Sequence, residues 1–381
     1  MILGGGPAGL ATARAYREAG GRAKITMVAA EPYPPYQRPP LTKEYLRGEV
    51  GREELPIERP RWYRENGVEL RLATSVTSLD ADRAVVETED GEIGYDACVL
   101  ATGSEPARIP VHGADDPEIL VMRTLENSDQ LRKRVGEGDR VVVGSGFIGC
   151  EAAASLSLRG AEVTLISLEQ SPQKERLGEE VGARIEGWLR GYGVDLRLGA
   201  SIEEVERNDG AHEVSVEDGD RIAADTVLFG TGVSPRTGLA EEAGLAVEKG
   251  IVTDSAMRTS APGVFAVGDA AEAYNESAGR HLSVEHWGDA LEHGRVAGTV
   301  IAEGVAAWGM APGFWSTIGD KTLKYWAWGD GWDEKRFVNK GGSFTVWYSR
   351  QGSLVGVLAH GSDEDYEEGR GLIESGASFP R

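Results

Sequence analysis

Two cysteines in 381 residues leave little scope for disulfide chemistry. Cys98 lies in an apolar strand pattern and Cys150 just inside a helical stretch. Both read as buried thiols in a reducing compartment, the cytoplasm, rather than as a bridge. No cluster of Cys or His has metal-ligand spacing, so no metal site is expected. No apolar run approaches the roughly 18–20 residues that cross a bilayer. The start, Met1-Ile2-Leu3-Gly4, has no basic segment followed by an apolar core and a cleavage site, so neither a membrane span nor a secretory signal is expected. Positive charge is also scarce: 40 Lys and Arg stand against 62 Asp and Glu, a formal charge of −22. That argues against a general nucleic-acid surface, whose mark is a basic patch, and it aids solubility. With 40% apolar and 27% charged residues the composition is that of a folded protein, and the length suggests two or three domains.

What the chain does hold is one supersecondary unit in two copies. The first reads Ile2-Leu3-Gly4-Gly5-Gly6-Pro7-Ala8-Gly9, a helical Leu10–Tyr16 stretch, then the strand-like Ile25-Thr26-Met27-Val28. The second reads Val141-Val142-Val143-Gly144-Ser145-Gly146-Phe147-Ile148-Gly149, a helical 151–156 stretch, then Val163-Thr164-Leu165-Ile166. Each is strand, glycine turn, helix, strand, the βαβ unit of dinucleotide-binding folds. The glycines permit the tight turn and let backbone N–H groups approach a pyrophosphate, and the helix start supplies orphan donors and the positive end of its dipole. An acidic residue after the second strand can hold ribose hydroxyls, and Glu31 has that place. The chain opens almost on the first motif, so its first strand is very short or lacks a few residues at its start.

Two such units suggest two dinucleotides. Cys98-Val99-Leu100-Ala101-Thr102-Gly103 is an apolar strand ending in a small turn, and Val227-Leu228-Phe229-Gly230-Thr231-Gly232 repeats it after the second unit. Gly263-Val264-Phe265-Ala266-Val267-Gly268-Asp269-Ala270 then brings a strand, a glycine and a carboxylate before an Ala-rich helical stretch from Trp287 onward. A carboxylate at a strand's C-terminal end is well placed to bind a polyhydroxyl chain, although it could also serve as a helix cap.

At these residues the chain resembles the two-dinucleotide-fold flavoprotein reductases, and within them the ferredoxin reductases of oxygenase systems, putidaredoxin- and rubredoxin-reductase-like. The narrower likeness rests on Pro35-Tyr36-Gln37-Arg38-Pro39-Pro40-Leu41-Thr42-Lys43, Met122-Arg123-Thr124-Leu125-Glu126, Gly146-Phe147-Ile148-Gly149-Cys150-Glu151 and Val284-Glu285-His286-Trp287. In the tail it rests on Phe314-Trp315-Ser316 and Ser343-Phe344-Thr345-Val346-Trp347-Tyr348. The resemblance implies an α/β fold of two Rossmann-like domains, one for FAD and one for NAD(P), plus a small α+β C-terminal domain. The FAD domain is expected at 1–108 and 233–304, the NAD(P) domain at 109–232 and the C-terminal domain at 305–381. The last holds six of the nine tryptophans, so aromatic packing is expected to compensate for a small core.

By the same resemblance, FAD is expected on Gly4, Gly6, Pro7, Ala8, Gly9, Glu31, Ala101, Thr102, Gly103, Gly268 and Asp269, with Asp269 at the ribityl chain. NAD(P)H is expected on Gly144, Gly146, Phe147, Ile148, Gly149 and Gly232. Glu285, His286, Trp287 and Trp315 match positions near the flavin. Lys43 is the expected cation beside the isoalloxazine, with Glu151 as its partner, because a buried lysine needs one. Arg38 either contacts FAD phosphate or ribose or braces the proline-rich loop. The stretch 38–45 has no cysteine, where the thiol-using relatives carry one or two, so electrons are expected to leave the flavin directly. They would go to an iron–sulfur ferredoxin or similar partner.

In the second unit Ser167 stands at the strand end and Glu169 two residues on. Glu169 coincides with Glu31 and favours NADH; Ser167 facing the ribose would admit NADPH, with Lys174 or Arg176 assisting. Arg59-Pro60-Arg61 and Lys321 with Lys324 are candidate docking patches, and Asp363-Glu364-Asp365 reads as a helix start. The tail departs from its relatives after Ser316, with Thr317-Ile318-Gly319-Asp320. An NADH oxidase or diaphorase reducing a small molecule, and a redox-signalling flavoprotein like apoptosis-inducing factor, are the alternatives to the ferredoxin reductase.

Overall fold

The computed structural model describes residues 1–208, 210–217 and 219–379. Its two parallel five-stranded sheets are built alike. In the first the order is Val264–Ala266, Cys98–Leu100, Ile2–Leu3, Ile25–Val28, Val68–Arg71. The two-residue opening strand is central, with Ile2 opposite both Met27 and Val99. In the second the order is Asp195–Leu198, Glu162–Ser167, Arg140–Gly144, Thr226–Phe229, Leu120–Val121. There Val141 lies opposite Val163 and Thr226. In each sheet the strand before the glycine turn has its successor on one side and a later strand on the other. That reversal opens a crevice at the strands' carboxyl ends, where ligands of such sheets bind. The inner strands are buried along most of their length, because a helix packs on one face of each sheet and a three-stranded antiparallel sheet on the other. There Leu79 and Val86 meet Leu3 and Val28, and Val205 and Val214 meet Val142 and Ile166.

Small residues decide how closely the helices approach. Helix Pro7–Glu18 buries Ala8, Gly9, Ala11, Ala13 and Ala15 and lies along helix Trp287–Glu303. A Cβ added at Gly294 would stand 2.3 Å from the carbonyl oxygen of Ala8, and one at Gly298 2.3 Å from that of Thr12. Only glycine allows this contact between backbones.

The chain leaves the first sheet through Ser104–Pro106 and returns through Val233–Pro235, and these two short strands pair antiparallel. The tail forms a third, antiparallel sheet in the order Gly313–Ile318, Lys321–Ala327, Ser353–His360, Ser343–Arg350, Glu334–Lys340. Helix Asp363–Glu374 packs on it. Trp308 is fully buried edge-on to His293, and Trp326 stacks on Tyr366 at 5.1 Å. The tail sheet docks on the second unit, where the Tyr348 hydroxyl donates to the Leu177 carbonyl at 2.8 Å. Among the described residues no helix is long and apolar enough to cross a membrane.

Candidate functional site

One cavity of about 1200 Å³ runs between the two sheets and is lined by both glycine turns. Pockets for single small ligands hold roughly 300–1,000 Å³, so this one has room for more than one. Gly4, Gly6, Pro7 and Ala8 line it from the first unit, and Gly144, Gly146, Phe147 and Ile148 from the second. A Cβ added at Gly6 would meet nothing within 4 Å, so the space above that turn is open where a pyrophosphate would lie against helix-start N–H groups. Gly9 and Gly149, expected as binding residues, do not line the cavity. A Cβ at Gly9 would come 2.6 Å from the Gly4 carbonyl oxygen, and one at Gly149 1.7 Å from that of Gly144. Their requirement is close packing of helix on strand.

The proline-rich loop brings Arg38 to the cavity and to Glu31, which stands just past the second strand. The guanidinium donates to the Glu31 carboxylate at 2.7 Å, to the Tyr36 hydroxyl at 3.0 Å and to the Arg123 carbonyl at 2.7 Å. Tyr36 in turn donates to Glu31 at 2.6 Å. Arg38 therefore braces the loop and also faces the cavity. Across the same crevice Asp269 accepts from the Ser104 hydroxyl at 2.8 Å and from Arg123 at 2.6 Å. Ala101, Thr102, Gly103, Gly232 and Gly268 line this wall, as do Glu285, His286 and Trp287. Burial raises the Glu285 carboxyl pKa, and the charge of Asp269 adds to the effect. His286 Nδ1 lies 3.3 Å from the buried Asp289 carboxylate, and its ring packs on Phe314 at 5.0 Å.

Where the two crevices meet, Lys43 and Glu151 form an ion pair at 2.8 Å, each side chain only 7% exposed. Glu151 is the fifth residue of helix Phe147–Leu158, just past its first turn, and is buried as the helix runs inward from the second glycine turn. Its Oε2 accepts from Lys43 Nζ and, at 2.6 Å, from Thr42 Oγ1. Its Oε1 accepts from Ser316 Oγ at 2.9 Å and from the Thr317 amide at 3.0 Å. Four donors on one carboxylate offset the cost of burying it. Trp315, beside Ser316 in the strand, lines the cavity and stays 41% exposed.

In the second crevice Glu169 lines the cavity and its Oε2 accepts from the Glu175 amide at 2.9 Å. Ser167 is buried outside the cavity lining, and its hydroxyl accepts from the Glu169 amide at 3.2 Å. Strand alternation turns position 167 inward, and the chain beyond it turns toward the cavity. Arg176 is at the cavity wall and Lys174 is not.

Both thiols are fully buried, and burial pushes each up to about 12; neither lines the cavity. Of the candidate docking cations, Arg61 pairs with Glu65, Lys321 with Asp320 and Lys324 with Asp363, so those three are locally neutralised. Arg123, Ser104, Thr42, Ser316 and Thr317 are polar groups of the site that sequence reasoning did not single out. The only signal was that four of them lie inside or next to the family-like stretches, since a serine or arginine in a strand or loop carries no pattern of its own.

The comparisons with known proteins agree with this geometry. The family model described as pyridine nucleotide-disulphide oxidoreductase matches residues 1–294. A ferredoxin reductase subunit of a 5,5'-dehydrodivanillate O-demethylase from Sphingobium sp. is 32% identical over 100% of this chain and 94% of its own length. The solved covalent complex of putidaredoxin reductase with putidaredoxin superposes with a TM-score of 0.92 at 31% identity, covering 98% of this chain and 92% of that one. A ferredoxin reductase from Rhodopseudomonas palustris gives 0.94 at 28% identity, with 99% and 95% covered. With two glycine-turn sheets opening on one cavity and a family match across most of its length, the chain belongs to the pyridine nucleotide-disulphide oxidoreductase family.

Proposed function

We propose that this chain is an FAD-dependent reductase that takes hydride from NADH, rather than NADPH, and passes electrons to a ferredoxin-like iron–sulfur protein. The observation that carries the reading is the buried Lys43–Glu151 pair at the junction of two glycine-turn crevices in one cavity. Bound FAD supplies hydride acceptance and the release of electrons one at a time. The first glycine turn would receive its pyrophosphate, Glu31 its ribose and Asp269 its ribityl chain. Lys43 holds a cation where negative charge accumulates, and Glu151 keeps that cation fixed. The domain plan follows: residues 1–108 with 233–304 hold FAD, 109–232 hold the nicotinamide dinucleotide and 305–381 close the site. Sheet membership supports this, since Val264–Ala266 joins Cys98–Leu100 across the intervening segment.

The choice of NADH is supported by Glu169, whose carboxylate is already oriented by the Glu175 amide and would repel a 2′-phosphate. A ferredoxin-like acceptor is supported by the names of the similar proteins and by the lack of a cavity thiol to relay electrons. The test is an anaerobic titration of FAD-loaded protein with NADH and with NADPH, followed by turnover with and without added ferredoxin. Flavin bleaching at one equivalent of NADH, and turnover that requires the ferredoxin, are expected. A protein that takes up no FAD would end the proposal, and faster bleaching by NADPH would reverse the cofactor choice.

A further inference from the structure

We propose that Ser316 is a positioning residue: the tail sheet sets the place of the Lys43 ammonium by holding Glu151 through the Ser316 hydroxyl. The inference rests on the reductase reading above and adds a residue to it.

The two oxygens of Glu151 are divided between two parts of the molecule. Oε2 faces Lys43 and Thr42, in the loop of the first unit, at 2.8 and 2.6 Å. Oε1 faces Ser316 and the Thr317 amide, in the tail strand, at 2.9 and 3.0 Å. A carboxylate held on one edge only can pivot about its last torsion, which is broad. Held on both edges it cannot, and the ammonium 2.8 Å away is then fixed in turn.

The strand that carries Ser316 is itself anchored. Gly313–Ile318 pairs residue for residue with Lys321–Ala327, Ser316 lying opposite Leu323, and Phe314 packs against Phe147 at 4.8 Å. Strand alternation puts Ser316 inward at 1% exposure and Trp315 outward at the cavity rim. Ser316 is therefore a buried hydroxyl on a fixed backbone, aimed at the carboxylate that holds the lysine. The attraction between an ammonium and nearby negative charge falls with distance. If Glu151 pivots and Lys43 follows it away from the cavity, the reduced flavin loses stabilisation and its potential falls.

The test uses FAD-loaded protein carrying Ser316→Ala, Glu151→Gln, both together, and Lys43→Met. Two quantities are read: the rate of flavin reduction by NADH in rapid mixing, and the flavin midpoint from an anaerobic redox titration. Ser316→Ala leaves Oε1 with the Thr317 amide alone and so loosens that edge. Reduction should slow about threefold or more and the midpoint fall by on the order of 15 mV, the two-electron equivalent of threefold. Added to Glu151→Gln, it should change either quantity less than about twofold, because its route of action is gone. A rate within twofold of the parent and a midpoint within about 9 mV of it, the two-electron equivalent of twofold, in FAD-replete Ser316→Ala would overturn the proposal. So would an equal loss in the Glu151→Gln background, which would mark a merely structural role. Lys43→Met separates the two levels. A parent protein whose flavin NADH does not bleach removes the reductase reading, whereas parent-like reduction in Lys43→Met removes the lysine, and Ser316 with it, while that reading stands. Slow reduction there beside a parent-like Ser316→Ala removes Ser316 alone. Should Ser316→Ala lose FAD during purification, Ser316→Cys, close in size and a weak donor, is read in the same cycle.

Discussion

Replacing Glu151 by leucine and, separately, Lys43 by methionine asks how a buried ion pair divides its worth between partners. The two side chains are equally buried, at 7% exposed, but their other contacts differ. Among the described residues Lys43 Nζ has only the Thr42 hydroxyl, at 3.4 Å, besides Glu151. Glu151 keeps Thr42, Ser316 and the Thr317 amide when the lysine is removed. Glu151→Leu therefore leaves an ammonium nearly alone in the interior, a loss of about 3–5 kcal/mol. Lys43→Met leaves a carboxylate with three donors and removes one charged hydrogen bond, a loss of about 1.5–3 kcal/mol. The double variant should cost less than the sum of the two, because no unpaired charge remains. Urea unfolding of FAD-loaded protein, followed by circular dichroism, measures all three, and an unchanged slope shows that the unfolded state is comparable. A larger loss for Lys43→Met than for Glu151→Leu would refute the reasoning. So would losses that add to within about 0.5 kcal/mol.

Two further outcomes are expected. Glu169→Ser should lower the ratio of kcat/KM for NADH to that for NADPH by at least about tenfold, since a repelling and ribose-binding carboxylate is removed; an unchanged ratio in steady-state assays would take Glu169 out of the selection. Cys98 and Cys150, raised to about 12 from the usual 9.0, keep their protons in the folded chain after the unfolded chain has lost them. Stability they contribute is whole below pH 9 and falls as pH rises toward 12, on the order of 1.4 kcal/mol per pH unit for each thiol. Unfolding midpoints between pH 8.5 and 10.5 should thus fall less steeply in Cys98→Ala than in the parent, and equal slopes would contradict the thiol's burial.

The parallel sheets were legible because their signal is local. Apolar runs such as Val141-Val142-Val143 followed by glycines leave few structures open, and the two-residue strand Ile2–Leu3 needed only a partner on each side. The pairing of Lys43 with Glu151 was legible through the family likeness together with the need of a buried lysine for a counter-charge. Other positions were harder to place because one pattern serves two purposes. Gly9 and Gly149 belong to the glycine motif, but the motif does not say which glycine faces a ligand and which lies under a helix. For the ribose of the second unit the sequence favoured Glu169 and kept Ser167 as the alternative, and only the fold puts Ser167 in the interior, outside the cavity lining.

Local order along the chain thus determined the two glycine-turn units, the acidic residues that follow their strands and the lack of a thiol relay. These features depend on backbone sterics and on residues within a few positions of one another. Only the tertiary structure decided that Arg123 meets Asp269 across 146 positions, or that Ser316 meets Glu151 across 165. Such contacts bring together polar side chains with no periodicity of their own, and burial alone makes each of them seek a partner, whichever part of the chain supplies it.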